Sequence, residues 1–155
     1  VFENVALPLR MHKNLDEREL KVLVEDLLSQ VALDGAGSKM PQELSGGMRK
    51  RAGLARALAM NPNIIFYDEP SAGLDPVSAA RIDRLILERA QSGTAQIVVT
   101  HEMGSAFRIA DRMVLLHQGH MVAEGTPEEF QNSSDPRIRQ FVEGGADGPL
   151  EESAS

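Results

Sequence analysis

Ile64-Ile65-Phe66-Tyr67-Asp68-Glu69-Pro70 is an apolar and aromatic run that ends in two adjacent carboxylates and a proline. A run of this length without polar alternation predicts a strand covered on both faces. Its acid pair then falls at the strand's C-terminal edge, where open α/β sheets bind ligands. Ile97-Val98-Val99-Thr100, followed by His101, repeats the pattern. Between and after the two runs, helical spacing over Pro76 to about Ala90 and over Met103 to Ala110 gives strand, helix, strand, helix, the order of parallel strands joined by crossovers. Both strands are therefore expected in the middle of a sheet. Tyr67 carries a hydroxyl where the pattern asks for a plain apolar residue, and so requires a buried partner.

Upstream, Leu20, Leu23, Val24, Leu27, Leu28 and Val31 recur at three- and four-residue spacing, which predicts a helix from Asp16, its cap, to Val31. Asp34-Gly35-Ala36-Gly37 breaks the chain, and a second helix runs from Ser45 to about Met60, ended by Asn61-Pro62. Downstream, Met113 to His117 and Met121 to Glu124 flank Gln118-Gly119 as a hairpin. Short helices follow from Pro127 and from Pro136 to Glu143, and a small, acidic tail from Gly144 onward is expected to be mobile. The 155 residues allow one compact domain. A net charge of -7 argues against a nucleic-acid partner, and the absence of cysteine excludes disulfides and thiolate metal sites. No apolar stretch approaches the ~20 residues of a membrane-spanning helix, so any membrane association is expected to run through a partner.

Four short elements carry chemistry. Leu44-Ser45-Gly46-Gly47 opens a helix, with Ser45 as its cap and two glycines that let an anion approach the N-terminal N–H groups. Asp68 suits holding Mg2+, and Glu69 suits activating a water for attack on a γ-phosphate. Ser71-Ala72-Gly73-Leu74-Asp75-Pro76 turns into a helix capped by Asp75, and His101 at a strand end can hydrogen-bond a phosphate oxygen. Each also has an ordinary reading: a capped helix, a solvated loop entrance, an exposed histidine. Their order and spacing, with Ser45 and Asp68 23 positions apart and Asp68 and His101 33 apart, set the ordinary readings aside.

In these four elements the sequence resembles the ATP-binding cassette (ABC) family: Leu44 to Gly47 match its signature motif, Ile64 to Asp68 its Walker B strand with Glu69 as catalytic base, Ser71 to Asp75 its D-loop, and His101 its switch. The resemblance implies an α/β fold, a RecA-like P-loop NTPase core with a parallel sheet flanked by helices and a helical subdomain. It also implies ATP and Mg2+ as cofactors, and two ATPase copies closing head to tail over two nucleotides. Ser45, Gly46, Gly47 and Asp75 would bind ATP, the three signature residues reaching the ATP held by the partner copy. Asp68 would hold Mg2+ and, with Glu69 and His101 as catalytic residues, act on the nucleotide of its own subunit. The implied organisation is a helical subdomain over 1–55, the RecA-like core over 56–126, and C-terminal helices and tail over 127–155.

No segment fits Gly-x-x-x-x-Gly-Lys-Ser/Thr, and Gly37-Ser38-Lys39 lacks the partner glycine and the following hydroxyl. The Walker A part is therefore expected to be absent, the chain by itself inactive, and the Walker B strand left with an open edge. Pro41 to Met48, the run Val1 to Arg10, and Asp135-Pro136-Arg137-Ile138-Arg139-Gln140-Phe141 with Gly148-Pro149 resemble the ATPase of Mla-type phospholipid-trafficking transporters. That family implies a membrane permease as partner, peripheral attachment to the cytoplasmic face of the bacterial inner membrane, and no nucleic acid. The alternatives are a soluble non-transport ABC ATPase acting on nucleic acid or ribosomes, and a non-enzymatic remnant. His117 and His120 read as exposed hairpin residues and His12 as a surface residue; Arg49-Lys50-Arg51 read as solvated or paired with carboxylates.

Overall fold

The computed structural model describes residues 1–150 and divides into two compact units, Val1–Thr100 and the residues from His101 onward. The first begins with a helix that periodicity did not expose, α1 (Phe2–His12), which tolerates Pro8 in its interior and buries Val5, Ala6 and Leu9. Helix α2 (Glu17–Gln30) starts at Asp16, whose carboxylate accepts from the N–H groups of Arg18 and Glu19 while Glu19 reaches back to the Asp16 N–H, a complete capping box. A 3-10 turn over Pro41–Glu43 leads into α3 (Gly46–Leu58). The three helices pack on one another through Val5, Leu9, Leu20, Val24, Leu27 and Leu58, all nearly or fully excluded from solvent. Each such side chain is worth roughly 1.5–3 kcal/mol relative to exposure.

Strand β1 (Ile64–Asp68), helix α4 (Pro76–Gln91) and strand β2 (Ala95–Val99) form the expected crossover. β1 and β2 pair in parallel, from Ile64 opposite Ala95 to Asp68 opposite Val99. The expectation that both strands lie mid-sheet with both faces covered is corrected. Among the described residues this sheet has two strands. Ile65 and Tyr67 are buried, whereas Ile64 is 59% and Phe66 74% exposed, with Ile97 and Val99 also open. The crossover returns on one side, so α4 supplies cover to one face alone.

In the second unit, α5 (Met103–Ile109) precedes the antiparallel hairpin of β3 (Met113–His117) and β4 (His120–Gly125). Its turn places Gln118 at φ 48° and Gly119 at φ 77°, the two positive values a tight hairpin of this hand requires. Helices α6 (Pro127–Gln131) and α7 (Pro136–Glu143) follow. Ala106, Met113, Leu115, Phe130 and Ile138 form the unit's core. Residues 144–150, expected above to be mobile, fold back on α7: the Gly145 N–H donates to Gln140 O at 2.9 Å and the Leu150 N–H to Gln140 Oε1 at 2.9 Å. Residues 151–155 lie outside the described residues.

Candidate functional site

Ser45 Oγ accepts from the Met48 N–H at 3.2 Å, capping α3 as its sequence requires. Buried Leu44 anchors the segment, while Ser45 and Gly46 are exposed. A Cβ on Gly46 would meet nothing within 4 Å, so the helix mouth is open there. A Cβ on Gly47 would come within 2.6 Å of Leu74 Cδ2. Glycine at this position therefore lets the first turn of α3 lie directly on the Ser71–Asp75 loop. Lys50 Nζ donates to Ala72 O at 3.3 Å and strengthens the same contact.

That loop is itself well tied. Ser71 is buried, Gly73 sits at φ 75°, and the Leu74 N–H donates to Ser71 O at 3.0 Å. Asp75 then caps α4, accepting from the N–H groups of Val77 and Ser78 at 3.0 Å and from Ser78 Oγ at 2.6 Å. The Ser78 hydroxyl and the cap N–H groups hold the Asp75 carboxyl below the usual carboxylate range.

At the tip of β1, Asp68 is exposed and Glu69 half-buried. Glu69 adopts φ 49°, in the left-handed region, a conformation that costs a non-glycine residue on the order of 1–3 kcal/mol and persists only where its surroundings impose it. Its N–H donates to Val99 O at 2.8 Å, and Thr100 Oγ1 donates to Glu69 Oε2 at 3.4 Å. One residue before the acid pair, Tyr67 is 5% exposed, and its hydroxyl donates to Gln96 Oε1 at 2.8 Å. Gln96 Nε2 in turn donates to Ile86 O of α4 at 2.8 Å. The partner that Tyr67 required is thus present. Burial pushes the phenol up to about 12 against the opposing charge of Arg89, so it remains a donor across the physiological range.

A cleft of about 230 Å³ runs between α3 and β1, lined by Lys50, Arg51, Phe66, Asp68 and Glu69 among others. Ser45, Gly46 and Asp75 are not part of its lining. Within the first unit, then, Gly47 meets the Ser71–Asp75 loop, the carboxylates share a cleft with Lys50, and Lys50 touches both. His101 is an exposed residue at the head of the second unit.

In the basic run Arg49 and Lys50 are exposed, as a solvated run requires, and Arg51 is half-buried; the partners are backbone carbonyls rather than carboxylates. Arg49 Nη1 donates to Leu44 O at 2.5 Å, Lys50 to Ala72 O, and Arg51 Nη1 to Val31 O and Ala32 O at 3.1 and 2.7 Å. All three satisfy backbone carbonyls. His120 is exposed as expected, but His117 is half-buried, with Nε2 enclosed and unbonded. Lys50, Gln96 and Thr100 were not anticipated at the site; for Gln96 the available signal was the need of Tyr67 for a partner.

Residues 1–72 match the family described as ABC transporter, and the ATP-binding protein MlaF of the intermembrane phospholipid transport system of Escherichia coli K12 is 44% identical over 151 residues, 97% of this chain. The chain is homologous to ABC ATP-binding proteins. The probable ribonucleotide transport ATP-binding protein mkl of Mycobacterium tuberculosis H37Rv is 43% identical over the same share. The chain spans about half the length of these curated relatives, 56% of MlaF and 42% of mkl. Among solved structures, a dimeric post-hydrolysis state of the ATP-binding cassette MJ0796 bound to ADP and Pi superposes with a TM-score of 0.76 at 31% identity, covering 81% of this chain and 56% of that one. The α/β ABC ATPase fold follows from this likeness together with the parallel β1–β2 pair and its flanking helices.

Proposed function

We propose that this chain is the signature-loop and carboxylate part of an ATP-hydrolysing subunit that works as a pair of copies. The observation that carries the reading is that the exposed signature residues and the acid pair do not line one common cleft. The first turn of α3 is seated on the Ser71–Asp75 loop, and Ser45 and Gly46 at its open mouth do not line the cleft that holds Asp68 and Glu69. One chain therefore presents two surfaces for nucleotide, as a site shared between two copies needs, and the dimeric cassette it superposes on is consistent with that.

In this reading Ser45, Gly46 and Gly47 offer their hydroxyl and N–H groups to the γ-phosphate held by the partner copy, where the positive end of the helix dipole favours anionic charge. Asp75 borders that contact through its capped loop. The exposed Asp68 carboxylate at a strand tip fits a Mg2+ ion with most of its water retained; the ion's contribution is to neutralise charge on the phosphate oxygens. Glu69, half-buried and held by Thr100, orients and deprotonates the attacking water. His101 hydrogen-bonds a phosphate oxygen and registers its loss. The division into a helical subdomain (1–55), core (56–126) and C-terminal part (127–155) belongs to the same proposal.

The complete subunit drives a membrane permease that moves phospholipid, attached peripherally at the cytoplasmic face. Among the described residues no helix is long and apolar enough to cross a membrane; in this proposal attachment runs through the permease. Phospholipid is preferred to ribonucleotide because the C-terminal segment resembles the lipid-trafficking members. The test reconstitutes the complete protein with its permease in liposomes. ATP-dependent movement of labelled phospholipid supports the reading, and movement of ribonucleotide alone overturns the substrate. In the same preparation Glu69→Gln is expected to slow hydrolysis by roughly 10²–10⁴-fold with nucleotide binding retained; equal loss of binding and turnover contradicts the role.

A further inference from the structure

We propose that Tyr67 is a positioning residue, whose hydroxyl, braced through Gln96 on the backbone of α4, pins the end of β1 so that Glu69 keeps its left-handed conformation. The reading of Glu69 as the catalytic base is the one given above; the brace itself rests on geometry. A phenylalanine would fill the same buried volume, so the hydroxyl is not needed for packing. Burying it is unfavourable unless it is bonded, and here it is bonded, at 2.8 Å, to a side chain whose other end is fixed at 2.8 Å to Ile86 O.

The direction of the bond matters. Tyr67 stands opposite Val98 and Gln96 stands opposite Ile65, so the side-chain bond crosses the ladder diagonally. A slide of β1 along β2 would stretch this diagonal tie, which adds a side-chain bond to the slanted rungs of the parallel ladder. Directly beyond it lie Asp68 and then Glu69, whose N–H to Val99 O bond extends the ladder by one rung. Glu69 at φ 49° gains by relaxing toward the extended region unless that rung and the register beneath it hold. Tyr67 and Gln96 thus act on the carboxylate without touching it.

The test uses the complete protein with Tyr67→Phe, Gln96→Leu and the pair together, read by amide hydrogen exchange and by steady-state hydrolysis of MgATP. Loss of one hydrogen bond is expected to speed exchange of the Glu69 amide roughly 3- to 10-fold while amides of α2 stay unchanged. kcat is expected to fall by a similar factor, with KM for MgATP within about 2-fold, and the double variant to be no worse than the more impaired single. Unchanged Glu69 exchange in Tyr67→Phe overturns the brace, as does loss of protection spread evenly over residues 1–100. A complete wild-type protein without ATP turnover would instead defeat the ATPase reading, and the exchange arm would still decide the brace.

Discussion

Gly47 is where a single hydrogen in place of a methyl decides a contact. Its Cβ position is occupied by the end of the half-buried Leu74 side chain, so Gly47→Ala is expected to make that side chain swing aside and loosen the contact of α3 with the Ser71–Asp75 loop. Leu74→Ala in the same chain should restore it. Overpacking of a tight core costs roughly 1–3 kcal/mol, and a movable side-chain end brings the expected loss here to about 1 kcal/mol; thermal unfolding of the single and double variants checks it, and a double variant as unstable as Gly47→Ala would exclude the contact as the cause. The identity of the residue was legible in the sequence, since two adjacent glycines behind a capping serine ask for close approach. What approaches was not. Sequence reasoning asked only for an anion near both glycines; the structure adds that the Cβ position of Gly47 faces the protein's own loop, which leaves the direction of its N–H a separate matter. The left-handed Glu69 was also hidden, because side-chain type says little about a strained φ in a non-glycine residue.

Elements were read most reliably where their ends carried a physical signal. Asp16 with Glu19, Ser45, Asp75 with Pro76, and Gln118-Gly119 each marked a boundary that the structure places within a residue or two. Helix α1 escaped because its buried face is short and Pro8 interrupts the pattern, although Val5 and Leu9 keep helical spacing. The uninterrupted strands were read as covered on both faces, but such a run does not say whether neighbouring elements supply that cover, and here the face with Ile64, Phe66, Ile97 and Val99 stays open. Arg51 shows an element end fixed from a distance: it donates to Val31 O and Ala32 O, just beyond α2, beside Ala32 at φ 54°. Arg51→Met is expected to lower stability by about 1–3 kcal/mol, since hydrogen bonds from a charged donor are lost and carbonyls are left unpaired; denaturant midpoints measure it, and an unchanged midpoint would exclude that role.

At the start of α7, Arg137 and its N–H hold the Asp135 carboxyl at about 2. Because this folded pKa is depressed, its contribution is fully present above the unfolded value near pH 4 and is lost as the pH falls toward 2. Asp135→Asn should therefore flatten the stability profile between about pH 4 and pH 2 and leave its shape above pH 5 unaltered; an unchanged acid limb would mean that the Arg137 pair does not persist in solution.

For the whole molecule, the fold class was legible because strand, crossover and strand leave few topologies; the candidate site rests on the order in which four separately ordinary elements stand. Division into units at Thr100 was not legible, since no linker composition marks it. The central proposal concerns two copies: the signature mouth of one and the acid pair of the other share a triphosphate. The direct measurement is a structure of the complete protein carrying Glu69→Gln, with MgATP bound. Ser45 Oγ is expected within about 3.5 Å of a γ-phosphate oxygen whose Mg2+ is held by Asp68 of the opposite copy. Ser45 facing solvent, or Ser45 and Asp68 of the same copy meeting one nucleotide, would contradict it.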